Sequence, residues 1–455
     1  MYDKRYMDKH YIQSFCYENE YSALPLVRCE GHTLIMEENK RLIDLTGQLG
    51  AVVCGNSNKA INEPVKQLID NVGFAWEESC IKEKELFLRF FFENIFSKDE
   101  KFEKIKLFVT GSEAIEAAIS LAEKVSDGNT ILTHRFAYHG WTTDAHNCSD
   151  FPEFGTFVDA NGCFEGKNKI NTAFYEYPIC SECAFGKKYE VCKRGDELYC
   201  IKELRREIIE IGARNIIAVF SDCILGLAAI IPPPEFIPQF QKIVKEYDLT
   251  WIDDEIFSAF RFGNWFAYQQ YKSVCPDIVC FGKSFSNGIT PLSGIAISDE
   301  LAKKIKNFKW QICSSYAGNP ISIVSAYYNL KYINDNNILL KVNHKGRIFE
   351  ECLYRIKKKS SLIERVDGKG MFWSVKIKDI FNYQNRRYIP PKGVKTTLGV
   401  LRKICIKNGL LIGGYVNSII RISPSITMSD QEIRWACSLL EKSLIELERY
   451  CNAEE

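Results

Sequence analysis

The chain has 455 residues, 46% hydrophobic and 26% charged, enough for a substantial core in one large domain or two to three ordinary ones. Lysine plus arginine (59) nearly cancels aspartate plus glutamate (58), a net charge of +1, which excludes the strongly basic footprint of a nucleic-acid binder. Ordinary glycine and proline counts (28 and 14) exclude a collagen-like or largely disordered chain.

The first seventy residues give strand-like pieces at His32 to Met36 and Leu42 to Leu45, then a helical pattern at Ile61 to Asn71. The start, MYDKRYMDKHYIQSF, has no apolar core and is not read as a signal peptide. The expectation is a cytoplasmic chain whose 18 cysteines are reduced and mostly buried. From Ile105 to Ser298, apolar runs (Lys106 to Val109, Ile216 to Phe220, Leu249 to Ile252, Ile278 to Phe281, Gly294 to Ile297) alternate with helical patterns such as Cys200 to Ile211 and Phe236 to Tyr247. Such alternation predicts βαβ units and a mostly parallel sheet. The most apolar stretch, Ile216 to Ile231, is too short to span a bilayer, contains Asp222 and runs into three prolines. It reads as a buried strand and a loop, and no membrane span is expected. The last 130 residues mix long helical patterns (Pro320 to Asn334, Leu339 to Ser361, Asp430 to Arg449) with strand candidates at Gly370 to Ile377 and Ile419 to Ile422. The predicted organisation is a small α+β domain built from both termini (1–75 and 326–455) around a large α/β domain (76–325).

Four places carry candidate chemistry. In LFVTGSEAIEAAISLAEK (Leu107 to Lys124) a strand meets a tight turn and a helix, with Thr110-x-x-Glu113 as a capping box. The free N–H groups at such a helix start favour a phosphate, with Gly111 and Ser112 closest; an ordinary capped helix has the same look. In TWIDDEIFSAFRFG (Thr250 to Gly263), acids Asp253, Asp254 and Glu255 follow a strand. They suit Mg²⁺, a buried cationic partner, or a solvated turn. In PDIVCFGKSFSNGITPLSG (Pro276 to Gly294), Lys283 follows a buried strand. Burial makes a lysine amine nucleophilic, as Schiff-base chemistry needs; a strand-end lysine reaching solvent is the plainer alternative. In AYHGW (Ala137 to Trp141), Tyr138 and His139 offer an aromatic face to a planar ligand or simple core packing.

Taken together, a phosphate cradle, an aromatic platform, an acid and a lysine about thirty residues later suit pyridoxal 5′-phosphate (PLP). In this order the sequence resembles the class III aminotransferases of fold type I, the group of ornithine, 4-aminobutyrate and ω-amino acid aminotransferases and glutamate-1-semialdehyde aminomutase. The motifs VTGSEAIEAA, AYHGW, WIDDEI, PDIVCFGKSFSNGITPLSG and SSYAGNPIS carry the likeness. The resemblance implies Lys283 as the internal-aldimine lysine and proton carrier, and Asp254 as the partner of the pyridinium nitrogen. It implies Ile256 and Tyr138 on the two ring faces, Gly111 and Ser112 on the phosphate, and Ser315 reaching the phosphate of a neighbouring subunit in a homodimer. Arg421, in VNSIIRISPSIT, takes the place of an arginine that grips a substrate carboxylate; a structural ion pair is the alternative. The implied activity moves an amino group between an amine or amino acid and a keto acid or aldehyde. An aminomutase and a non-catalytic PLP-binding homologue stand as alternatives. The chain departs from the family at Ser221-Asp222-Cys223, where Glu-Pro is common; Asp222 is the candidate stand-in, one carbon shorter. Cys180, Cys183, Cys192 and Cys200 have a passable metal-ligand spacing, but similar cysteines occur in many members without metal, so none is expected.

Overall fold

Seven strands join into one sheet in the computed structural model, which describes residues 3–14, 23–96, 101–150, 170–306, 308–381, 393–415 and 418–454. They are β1 (Phe102–Phe108), β2 (Thr130–His134), β3 (Asn171–Tyr175), β4 (Ile216–Ser221), β5 (Trp251–Asp254), β6 (Ile278–Phe281) and β7 (Ser293–Ser298). Their order across the sheet is β1-β7-β6-β5-β4-β2-β3. Pairings from β3 to β6 are parallel, with Phe220 opposite Ile252 and Asp254 opposite Cys280. β7 runs antiparallel to both β6 and β1. The mostly parallel sheet of the sequence reading is therefore correct with one reversed strand, because an apolar run is compatible with either direction.

All six residues of β4 and all four of β6 are buried, as a strand covered on both faces requires. Each large aliphatic or aromatic side chain so placed stabilises the fold by about 1.5–3 kcal/mol. One face of the sheet packs against the helix Gly111–Lys124. There Ala114, Ile115, Ala117, Ala118, Leu121 and Ala122 are buried with Phe220, Ile252, Ile256 and Cys280. The small alanines let the helix lie close to the strands. The stretch Ile216 to Ile231 is a strand and a loop, and no described helix is long and apolar enough to cross a membrane.

The chain divides into two compact units, residues 1–58 with 340–455, and 59–339. The first holds two four-stranded sheets. One joins Leu26–Glu30, Thr33–Met36, Arg41–Asp44 and, from the other end of the chain, Leu410–Leu411. The other joins Ile363–Lys369, Phe372–Ile377, Ile419–Ile422 and Gly413–Tyr415, all antiparallel.

Candidate active site

The carboxyl ends of β4, β5 and β6 and the start of the Gly111 helix converge in the second unit. Thr110 closes its capping box: its side chain accepts from the Glu113 N–H at 3.3 Å, and Glu113 Oε2 accepts from the Thr110 N–H at 2.8 Å. Such caps are worth about 1 kcal/mol. The Gly111 and Ser112 N–H groups have no intrahelical partner available to them, and neither donates to another described residue. Ser112 is buried, and its Oγ accepts from the Trp141 N–H at 3.2 Å. That bond docks the Tyr138–Trp141 loop onto the helix start. A Cβ at Gly140 would collide with Ser112 Oγ, so only glycine permits this approach.

Strand β5 carries its acids on two faces, because successive side chains alternate. Ile252, Asp254 and Ile256 point toward the Gly111 helix; Asp253 and Glu255 point away. Ile256 is the contact on which three segments meet. A Cβ on Gly111 would lie 2.9 Å from Ile256 Cδ1, and one on Gly282 would lie 3.5 Å from Ile256 Cγ2. Lys283 follows Gly282 directly and adopts φ +42°, a left-handed conformation costly for a residue with a Cβ. Phe281 before it and Phe285 after it pack into an aromatic cluster, 4.7 Å apart between centroids. Asn329 Nδ2 donates to the Ser284 and Phe285 carbonyls, 2.9 Å each. The turn is thus clamped, and the half-buried lysine side chain runs past Phe257, its Nζ 5.4 Å from that ring.

Asp254 Oδ1 accepts from the Ile256 N–H at 3.0 Å, and Oδ2 lies 2.8 Å from His139 Nδ1. His139 is fully enclosed. Its Nε2 is 3.3 Å from Thr133 Oγ1, whose only proton is directed to the Cys148 carbonyl at 3.1 Å. With that proton spent, Nε2 is left to donate as Nδ1 does, the hydrogen-bond pattern of an imidazolium. Burial is the largest single influence on its pKa and lowers it. The Asp254 hydrogen bond and the charges of Asp222 and Asp254 together raise it above the ordinary histidine value. Tyr138 is half-buried, its phenol pushed up first by burial and then by the charge of Asp254.

Residues 16–444 match the family "Aminotransferase class-III". The chain belongs to this family. An uncharacterised aminotransferase of Bacillus subtilis, YodT, is 26% identical over 94% of this chain and 96% of its own length. A leucine/methionine racemase of Thermococcus litoralis is 24% identical over 94% and 92%. Among solved structures, an S-selective transaminase from Arthrobacter sp. with alanine bound has 28% identity and a TM-score of 0.88, covering 98% of both chains. The protein is a PLP-dependent class III aminotransferase of fold type I, and these relationships do not favour the aminomutase alternative.

The remaining sequence candidates of the aminotransferase fall as follows. The solvated acidic turn is wrong: Asp253 and Glu255 are fully buried. Asp253 accepts from Ser221 Oγ at 3.1 Å and Cys223 Sγ at 3.4 Å. Glu255 accepts from the Tyr268 N–H at 2.8 Å and from Ser258 Oγ. Burial raises the Asp253 pKa strongly and pushes Glu255 up to about 8, so the interior disfavours the ionised form of both. Ser315 is exposed in the turn before the helix Pro320–Asp335. Arg421 is half-buried in the first unit, on the strand Ile419–Ile422, opposite Ser374 and Gly413. Its motif VNSIIRISPSIT begins at residues 416 and 417, which lie outside the described residues.

Cys180, Cys183, Cys192 and Cys200 line one small cavity of about 30 Å³. Burial pushes the Cys180 thiol up to about 11 and Cys200 to about 12. Among the described residues, only His134/His139/Asp222 and Cys223/Asp253/Glu255 bring three possible metal ligands within 4.8 Å of one another. The described cysteines are free thiols. The expectation that they are mostly buried is too simple: Cys54, Cys148, Cys223, Cys280, Cys352, Cys405 and Cys437 are, whereas Cys80, Cys180 and Cys313 are exposed. From the sequence His139 is an aromatic face or core filler; its bond to Asp254, 115 positions away, has no local signal.

Proposed function

We propose that Lys283 is the residue to which the PLP aldehyde attaches and that it carries the proton moved during transamination. Asp254 pairs with the ring nitrogen, Ile256 and Tyr138 flank the ring, and Gly111 and Ser112 hold the phosphate. The observation that carries this reading is the meeting of the Gly111 turn, the Asp254 strand end and the Gly282-Lys283 turn on the single side chain of Ile256. The residues fit the group: the Gly111 helix offers two orphan N–H donors to an anion, and Asp254 is a carboxylate backed by an imidazolium. When bound, PLP supplies an electron sink that stabilises negative charge at the substrate carbon.

The chain's own groups do the rest. Asp254 keeps a proton on the ring nitrogen, with His139 fixing the carboxylate's orientation. The clamp of Asn329 on the Ser284 and Phe285 carbonyls holds Lys283 where its amine collects and returns a proton. Alanine or another small amino acid is the donor we favour, and a keto acid or aldehyde the acceptor. Arg421 is the proposed grip on a substrate carboxylate. The active form in this proposal is a homodimer, with exposed Ser315 turned to the partner's phosphate site.

The test is Lys283→Ala. Borohydride reduction of wild-type protein should fix the cofactor covalently to the peptide containing Lys283, and the variant should lose both fixation and turnover. Cofactor still fixed in Lys283→Ala would reject the assignment. A donor panel with both alanine enantiomers, scored for keto-acid release, separates amino transfer from racemisation.

A further inference from the structure

Asp222 follows the last residue of β4, where the family commonly has glutamate. It is buried, and its backbone carbonyl accepts from Tyr177 Oη at 3.1 Å. Its Oδ1 lies 3.5 Å from Nε2 of His134, the fully enclosed last residue of β2. Neither of these two atoms makes a hydrogen bond to a described residue. The other His134 nitrogen, Nδ1, is 3.0 Å from the Arg135 carbonyl oxygen. A carbonyl only accepts, so Nδ1 carries a proton. A neutral His134 would then turn its bare Nε2 lone pair toward a carboxylate oxygen. Two acceptors facing each other form no hydrogen bond, so Asp222 Oδ1 finds no donor in His134 and its charge is left facing the neighbouring ring of His139.

This pair abuts the site. A ring nitrogen of His134, a ring nitrogen of His139 and an Asp222 oxygen lie within 4.8 Å of one another. The two imidazoles meet edge to face, centroids 5.9 Å apart. We propose that Asp222 is a positioning residue: it is the second anion that keeps His139 an imidazolium and so fixes the charge behind Asp254. The proposal rests on the reading of Asp254 as the ring-nitrogen partner.

The groups around His139 can be named. Asp254 faces it from β5, Asp222 from beyond β4, and Thr133 and His134 from β2; the Phe220 ring lies 4.7 Å away. Tyr175 and Tyr177 flank His134 at 5.8 and 4.9 Å. Both phenols are held well above their usual pKa by burial first and Asp222 second, so they stay neutral. The imidazolium thus has two carboxylates as its anionic neighbours, and Asp222→Asn removes one without changing shape.

The chain has six histidines, few enough to resolve by magic-angle-spinning ¹⁵N spectra of histidine-labelled full-length protein as purified. Both nitrogens of His139 should read as protonated at pH 7.5. In Asp222→Asn the deprotonation midpoint of His139 should fall by about one to three pH units, and Asp222→Glu should restore it. The absorbance of the bound cofactor should shift its pH midpoint in Asp222→Asn and return in Asp222→Glu. An unmoved His139 midpoint in Asp222→Asn would overturn the proposal. So would one transition-metal ion per chain that is lost in that variant. The His139 midpoint is read from the ring itself, so a midpoint that falls in Asp222→Asn while the cofactor absorbance stays unmoved would reject the Asp254 reading and leave the role of Asp222 toward His139 standing.

Discussion

Glu255→Gln is the sharpest test of the two-faced acid strand. Glu255 is fully buried on the face opposite Asp254, and burial carries its pKa from 4.5 to about 8. Each pH unit of difference between folded and unfolded chains is worth about 1.4 kcal/mol, so the full difference is on the order of 5 kcal/mol. The folded pKa is the higher one, so the folded state holds a proton that the unfolded state releases. Stability from this group is complete below about pH 4.5, declines by about 1.4 kcal/mol per unit as pH rises, and levels off above about pH 8. Glutamine keeps the acceptor for the Tyr268 N–H and cannot ionise. Denaturant unfolding of wild type and Glu255→Gln from pH 5 to 9 is the assay. The variant should show a shallower decline and be the more stable protein at pH 8 and above, by several kcal/mol less about 1 kcal/mol for an altered Ser258 contact. Asp253 is shifted upward by the same burial and leaves a residual slope in both proteins. Parallel curves would refute the reasoning, because they would mean that Glu255 ionises as readily inside as outside.

Two further substitutions probe the cofactor cradle and the substrate grip. Gly111→Ala places a Cβ 2.9 Å from Ile256 Cδ1 and 3.3 Å from its Cγ2; we expect about 1–3 kcal/mol of destabilisation from overpacking and faster cofactor loss by absorbance, and unchanged retention would remove Gly111 from the cradle. Arg421→Ala should reduce kcat/KM by roughly 2–4 kcal/mol for carboxylate-bearing substrates and little for simple amines, whereas an equal loss on both would assign the guanidinium a structural role.

Much of the fold was legible because its central strands are short apolar runs. Ile278–Phe281 and Ile419–Ile422 begin and end where the apolar residues do. The apolar run Leu249 to Ile252 stops two residues short of the end of its strand at Asp254. Hydrophobicity stops at Ile252, yet pairing continues because Ser221 and Cys223 receive Asp253 on one face and His139 receives Asp254 on the other. The Gly111 turn was legible from its capping box alone. The links His139–Asp254 and His134–Asp222 were not, since each joins residues about ninety to 115 positions apart through a sheet order that no local pattern encodes.

The backbone at Lys283 carries one more consequence. A residue with a Cβ at φ +42° sits where glycine or asparagine is at ease, and the mismatch costs on the order of 1–3 kcal/mol. Random drift at this codon toward glycine would therefore be rewarded in folding and punished in chemistry. The lysine is kept against a thermodynamic slope, and a descendant of this chain released from amino transfer should lose that side chain early and become the sturdier protein for it.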